Sequence, residues 1–160
     1  MDIKKVVIIG SGTMGSGIAA QVANAGIPVS LLDLPSSEGS RNQIVENAKE
    51  RIIHSKPPLL IEKNKIDLIT AANIEDNLEL VGEADWIVEA VVENLKVKHI
   101  VLAQVEKVCK EVNPTIVLAS RTDISSQIAP RLAFRFVVSS NDSIYSLLSR
   151  ISYSMVELIF

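Results

Sequence analysis

The stretch VVIIGSGTMGSGIAAQVANAGIPVSLLD, residues 6–33, decides the fold of this 160-residue chain. Its first four residues form a continuous β-branched run, which is typical of a strand buried on both faces of a parallel sheet. Apolar residues then recur at helical spacing over 15–25, and a glycine and a proline within 26–28 predict the end of that helix. A second apolar run, 29–32, ends at Asp33. The stretch therefore predicts one β-α-β unit.

The remainder of the chain continues this alternation of strands and helices. The same periodicities predict a helix over 41–55, a strand over 84–92, a helix over 95–112 and a strand over 115–119. Residues 56–80 fit neither pattern, and we expect an insertion there with a short strand near Ile69. Alternating strands and helices predict an α/β fold, a Rossmann-like doubly wound parallel sheet.

The composition excludes several classes of protein. Sixteen Lys and Arg against 19 Asp and Glu give a net charge of -3, which argues against a nucleic-acid partner. The single Cys109 rules out a disulfide framework and a multi-thiolate zinc site, so no metal site is expected. No uncharged run reaches the roughly 18 residues of a membrane span, and the apolar run after Lys5 is too short for a signal peptide. We therefore expect a cytoplasmic protein without a membrane partner.

Residues 10–15, GSGTMG, form a G-x-G-x-x-G motif between the first strand and the first helix. In such a motif the first glycine permits a tight turn, the second lets the backbone approach a pyrophosphate, and the third lets the helix pack against the sheet. The amino terminus of the helix presents unpaired N–H groups to the phosphates. The motif predicts cofactor-binding residues at Gly10, Gly12, Thr13, Met14 and Gly15.

An acidic residue, Asp33, follows Gly15 by 18 positions and ends the second predicted strand. A carboxylate at this point is placed to accept hydrogen bonds from the 2′- and 3′-hydroxyls of a ribose, and it repels a 2′-phosphate. The sequence therefore predicts NAD as the cofactor in preference to NADP.

Two segments resemble the NAD-binding domain of 3-hydroxyacyl-CoA dehydrogenases: KKVVIIGSGTMGSGIA at 4–19 and ADWIVEAVVENLKVK at 84–98. The motifs KPPL and DLIT within 56–80 further resemble the long bacterial form that is fused to an enoyl-CoA hydratase, which implies a family insertion there. The resemblance covers about residues 3–120. It implies an NAD-binding domain over 1–120, with 121–160 as the degenerate end of the same domain.

The resemblance implies an enzyme of fatty-acid β-oxidation that passes hydride from the 3-hydroxyl carbon of a 3-hydroxyacyl-CoA to NAD. It implies that Glu93 and Lys98 lie beside the cofactor and that Ser120 approaches the nicotinamide. Without the resemblance, Glu93 is placed at the carboxyl end of a parallel strand, where ligands bind. The alternative for Glu93 is an exposed loop carboxylate. Lys98 would then be a solvated surface lysine, and Glu89 would be a structural or edge group.

The chain departs from the family pattern after the last predicted strand. Where the family has Ser-Asn-Thr-Ser, residues 120–123 read SRTD, which places the substrate-side contact in doubt. The family's general base is a histidine in a His-Phe-Phe-Asn-Pro motif, but no histidine follows His99 and Tyr145 stands near its place. Without an imidazole no residue is assigned as catalytic. Glu157 resembles a remnant of the glutamate that orients that histidine.

Three functions remain open from the sequence. The first is a 3-hydroxyacyl-CoA dehydrogenase that is truncated and inactive alone, because the family's helical domain would begin after residue 160 and would have to come from a separately encoded C-terminal half. The second is a non-catalytic dinucleotide-binding module, and the third is another NAD-dependent Rossmann oxidoreductase. The serine-rich and arginine-rich segment 121–155 has two explanations, ordinary divergence or a shifted reading frame.

Overall fold

The computed structural model describes residues 3–92, 94–112 and 116–119, which form five strands and three α-helices. The strands are β1 (Val6–Ile9), β2 (Val29–Asp33), β3 (Ile69–Asn73), β4 (Trp86–Glu89) and β5 (Ile116–Ala119). The helices are α1 (Thr13–Asn24), α2 (Gln43–Ile53) and α3 (Leu95–Val112), and two short 3-10 helices cover Lys63–Leu68 and Leu78–Glu83. Each strand and helix that the sequence predicts is present, and the ends differ by a few residues.

The five strands pair in parallel in the order β3-β2-β1-β4-β5. The central strand is β1, whose Ile9 lies between Leu32 of β2 and Glu89 of β4. The chain builds β2 and β3 on one side of β1 and then crosses over to build β4 and β5 on the other. Open α/β sheets bind their ligands at the carboxyl ends of the strands beside such a switch. The predicted Rossmann-like parallel sheet is confirmed.

Helices cover both faces of the sheet because successive side chains of a strand point to opposite faces. In β1, Val6 and Ile8 pack in one core cluster with apolar residues of α1 and α2. Val7 and Ile9 pack on the other face in a cluster with residues of α3. All four side chains are at most 1% exposed. Burial on both faces explains why β1 is a continuous apolar run instead of an alternating one.

The segment 56–80 supplies one edge of the sheet. The strand expected near Ile69 is confirmed as β3, whose residues pair in register with those of β2 from Val29↔Ile69 to Asp33↔Asn73. Leu60 and Ile69 are buried in the cluster that contains α1 and α2. The segment is thus packed into the domain, and its interpretation as a family insertion stays a prediction.

Two further findings concern the described part of the chain alone. None of its helices has the length and apolar character needed to cross a membrane. Within the same residues, no group of three or more His, Cys, Asp and Glu side chains is arranged to hold a metal ion. The predictions made for 121–160 lie outside the described residues.

Candidate functional site

A cleft of about 220 Å³ lies at the carboxyl edge of the sheet, beside the ends of β1, β2 and β4. Most of its lining is apolar, and among the lining residues that the structure describes the one charged side chain is that of Asp33. The glycine loop and the segment after β4 form its walls, with lining residues that include Gly10, Gly12, Ala90, Val91 and Val97. This is the place where a Rossmann sheet binds a dinucleotide.

The turn after β1 requires a glycine at position 10. Gly10 has a φ of 106°, which side chains of L-residues rarely adopt. A Cβ at Gly10 would also lie 2.5 Å from the carbonyl oxygen of Ala90. Hydrogen bonds hold this approach, because the Gly10 N–H donates to the Leu32 carbonyl at 2.7 Å and the Ala90 N–H donates to the Ile9 carbonyl at 2.8 Å. Gly10 therefore makes the tight turn that the motif predicts.

The other two glycines of the motif differ in the space around them, since Gly15 is crowded and Gly12 is open. A Cβ on Gly15 would lie 1.8 Å from the Gly10 carbonyl oxygen, so a glycine is needed for α1 to approach the turn. A Cβ on Gly12, the N-cap of α1, would meet no atom of the described residues within 4 Å beyond its neighbours in the loop. Thr13 and Met14 follow as exposed residues of the first turn, whose N–H groups have no partner within the helix. The space in front of Gly12 is thus open to an anionic ligand.

Asp33 lies beside the glycine loop, and its carboxylate already accepts three hydrogen bonds from the protein. Its Oδ2 accepts the backbone N–H of Ser11 at 2.7 Å and the Ser11 hydroxyl at 2.6 Å. Its Oδ1 accepts the N–H of Leu34 at 2.8 Å. An ionised carboxylate has about four acceptor positions. One position, on Oδ1, is therefore left for the two ribose hydroxyls that the sequence predicts as partners.

Ser11 is the residue of this site that the sequence analysis missed. It is 1% exposed, and its carbonyl accepts the Ser16 hydroxyl at 2.9 Å and Nη2 of Arg51 at 3.1 Å. The contact between Ser11 and Asp33 could have been predicted from two features of the sequence. Ser11 is a hydroxyl residue inside the glycine motif, and Asp33 is an acceptor at the end of the next strand. Because β1 and β2 pair in parallel, the residues that follow β1 and those that end β2 meet at the same sheet edge.

Lys98 is buried, so the expectation of a solvated surface lysine is wrong. Its side chain is 0% exposed, and its Nζ lies 3.1 Å from Oε2 of Glu89, whose side chain is 1% exposed. Oε1 of Glu89 accepts the N–H of Val91 at 2.8 Å. The reason for the burial is tertiary, because the first turn of α3 lies against the end of β4. The interpretation of Glu89 as a structural or edge group stays a prediction, and so does contact between Lys98 and a cofactor.

Three further residues named from the sequence lie outside the described residues. They are Glu93 and Ser120, assigned to the cofactor by resemblance, and Glu157, the remnant of a catalytic pair. Their roles stay predictions.

Comparison with known protein families gives a match over most of the chain. Residues 5–133 match the model described as "3-hydroxyacyl-CoA dehydrogenase, NAD binding domain". The match extends beyond residue 120, where the sequence analysis expected the resemblance to end.

Individual relatives are much longer than this chain. A "Probable 3-hydroxyacyl-CoA dehydrogenase" of Deinococcus radiodurans is 42% identical over 112 residues, which cover 69% of this chain and 32% of the relative. A "fatty acid oxidation complex trifunctional enzyme" of Rickettsia felis is 38% identical over 144 residues, which cover 86% of this chain and 20% of the relative. The chain thus spans about a third or less of the length of these relatives.

The solved structures agree with the sequence comparisons. The 3-hydroxybutyryl-CoA dehydrogenase of Escherichia coli K12 superposes with a TM-score of 0.58 at 25% identity, over 79% of this chain and 26% of that one. The glycine loop, the parallel sheet and the family match all describe the same part of such an enzyme. This chain belongs to the 3-hydroxyacyl-CoA dehydrogenase family, of which it carries the NAD-binding domain.

Proposed function

We propose that this chain binds NAD across the carboxyl edge of its sheet and serves in the oxidation of a 3-hydroxyacyl-CoA to a 3-oxoacyl-CoA in fatty-acid β-oxidation. The observation that carries the proposal is the open space in front of Gly12, at the amino end of α1. A single cysteine favours a reducing compartment, and the proposed location is the cytoplasm.

The residues of the cleft fit the parts of NAD. The N–H groups at the start of α1 suit the pyrophosphate, because the positive end of the helix dipole lies there. Asp33 suits the adenosine ribose with its remaining acceptor position on Oδ1. Resemblance assigns Glu93, Lys98 and Ser120 to the nicotinamide half. NAD, when bound, would accept the hydride from the 3-hydroxyl carbon of the substrate.

The proton of the substrate hydroxyl needs a general base, and residues 100–160 contain no histidine. The proposal therefore assigns the base and the acyl-CoA cleft to a part of the enzyme outside these 160 residues. The same observation favours a second candidate function, a module that binds the dinucleotide without turnover.

One pair of measurements tests the behaviour that these two functions share, which is NAD binding without turnover by the chain alone. Calorimetric titration of the chain with NAD is expected to show saturable binding, and NADH formation from a 3-hydroxyacyl-CoA is expected to be absent without the complementary half. Turnover by these 160 residues alone would contradict the assignment of the base to a part of the enzyme outside them. A lack of NAD binding would contradict both candidate functions.

Replacing Gly12 with valine is expected to weaken NAD binding about a hundredfold while the domain stays folded. Apart from the adjacent residues of the loop, no atom in the described part of the chain lies within 4 Å of the Cβ position, so we expect the side chain to clash with the pyrophosphate and not with the fold. Calorimetric titration measures the loss, and circular dichroism checks that the helical signal is native. Retained affinity would mean that the loop is an ordinary turn.

Replacing Asp33 with alanine is expected to weaken NAD binding about tenfold, because a charge-assisted hydrogen bond to the ribose is lost. The affinity for NADP is expected to fall less or to rise, since the carboxylate no longer repels the 2′-phosphate. Titration with NAD and with NADP measures the change in each affinity. Glu38→Ala is the control, because it removes an exposed carboxylate from the loop after β2. Equal losses for NAD and NADP would contradict the assignment of Asp33 to the ribose.

A further inference from the structure

We infer that Ser11 is a positioning residue for the adenosine ribose, because it fixes the Asp33 carboxylate with Oδ1 toward the cofactor. The inference rests on the proposed function, since it assumes that NAD binds at this edge. It adds a residue inside the glycine loop to a site that the loop and the acidic residue define.

Ser11 contacts the Asp33 carboxylate directly, through two hydrogen bonds. Both donors of Ser11 point at the same carboxylate oxygen, with the backbone N–H at 2.7 Å and the hydroxyl at 2.6 Å from Oδ2 of Asp33. A carboxylate with one oxygen held from two directions keeps its side-chain rotamer. Because Asp33 lines the cleft, this rotamer decides which oxygen a ligand meets.

Ser11 is itself held in place, so the contact is not a chance orientation of a surface serine. The residue is 1% exposed, and its carbonyl accepts hydrogen bonds from Ser16 on α1 and Arg51 on α2. In the described part of the chain, Asp33 is the one acceptor recorded for its hydroxyl. If the hydroxyl turned away, a buried donor would lose its partner, which is unfavourable.

The arrangement has a specific consequence for recognition. Oδ2 accepts two hydrogen bonds from Ser11 and Oδ1 accepts one from Leu34, so a single acceptor position of the carboxylate remains for the ribose. A carboxylate that is fixed before binding loses little rotamer freedom when the cofactor arrives. Ser11 therefore contributes to affinity through the ribose hydroxyls and not through the phosphates.

The test compares two ligands, NADH and the NADH analogue whose adenosine ribose lacks both hydroxyls. We expect the unaltered 160-residue chain to prefer NADH about tenfold, as one charge-assisted hydrogen bond allows. In Ser11→Ala this preference is expected to fall about five-fold, because Oδ2 is then held by the backbone N–H alone and the carboxylate must be ordered further on binding. The fluorescence of bound NADH and competition by the analogue give both affinities.

Ser16→Ala is the matched control. It also removes a buried hydroxyl that is bonded to Ser11, at 2.9 Å from the Ser11 carbonyl, but this hydroxyl does not contact Asp33. We expect it to change both affinities by the same factor and to leave their ratio unaltered. General loosening of the loop would instead produce the same ratio in Ser11→Ala and Ser16→Ala, which would overturn the inference.

The double variant Ser11→Ala with Asp33→Ala tests the inference even if Ser11→Ala alone lowers the stability of the domain. If Ser11 acts through Asp33, adding Ser11→Ala to Asp33→Ala leaves the ligand ratio unchanged. A further fall in that ratio, or an unchanged or larger ratio in Ser11→Ala alone, overturns the inference while the proposed function stands. Failure of the unaltered chain to bind NADH overturns the proposed function and this inference with it.

Discussion

Gly15→Ala is expected to lower the free energy of unfolding by about 3 kcal/mol or more, because the added methyl group has no space. Its Cβ would lie 1.8 Å from the carbonyl oxygen and 3.0 Å from the carbonyl carbon of Gly10. Neither atom belongs to a side chain that can rotate away. The clash can be relieved only if α1 and the turn after β1 move apart, which disturbs the packing of α1 on the sheet. Urea denaturation followed by circular dichroism measures the loss.

Gly17→Ala in the same helix is the matched control for this prediction. A Cβ there would meet no atom within 4 Å outside its own helix in the part of the chain that the structure describes, so the substitution adds a methyl group without a clash. Since alanine is a better helix former than glycine, the control is expected to gain about 0.5–1 kcal/mol. Equal stabilities of Gly15→Ala and Gly17→Ala would show that the close approach of α1 to the turn is not a constraint on the fold.

Lys98→Met is expected to lower the free energy of unfolding by about 3–5 kcal/mol, because it leaves a charged partner buried without its counterion. The side chain of Glu89 is 1% exposed and would retain only the N–H of Val91 as a hydrogen-bond donor within the described residues. Lys96→Met is the control, since it removes an exposed lysine from the same turn of α3. Urea denaturation of both variants gives the difference.

The double variant Glu89→Gln with Lys98→Met tests the cause of that loss. Glutamine keeps an oxygen that can accept the Val91 N–H, and it removes the uncompensated negative charge. Replacing both members of a buried ion pair is often close to neutral, so we expect most of the lost stability to return. If the double variant is no more stable than Lys98→Met alone, then the loss comes from packing and not from the buried charge.

The Glu89–Lys98 pair also explains how the fold supports the cleft. Glu89 is the last residue of β4, and Lys98 is in the first turn of α3. The segment between them contributes Ala90, Val91 and Val92 to the cleft lining. The two residues that flank this segment form a buried ion pair, with 3.1 Å between Nζ of Lys98 and Oε2 of Glu89. The pair therefore limits the separation of β4 from α3 and holds this wall of the cleft.

Much of the fold was predictable because its signals are local. The β-branched run of β1, the helical spacing over α1 and the glycine motif between them all lie within residues 6–33, so they could be read without knowing any long-range contact. The motif also indicated the ligand class, because Gly10 and Gly15 allow the close approach of backbone segments while Gly12 leaves space for a pyrophosphate. The strand near Ile69 was predictable as a strand, but its place at the sheet edge was not.

Sequence by itself determined the strand and helix order, the tight turn at Gly10 and the candidate residues of the glycine loop and Asp33. Tertiary structure alone decided which oxygen of Asp33 remains for a ligand, because Ser11 lies 22 positions away and meets Asp33 only after β1 and β2 pair. It also decided the burial of Lys98, which has the sequence pattern of a surface residue. The physical reason is the same for both: periodicity shows which face of an element is apolar, whereas a buried polar side chain finds its partner only when the packing of two elements removes water from both.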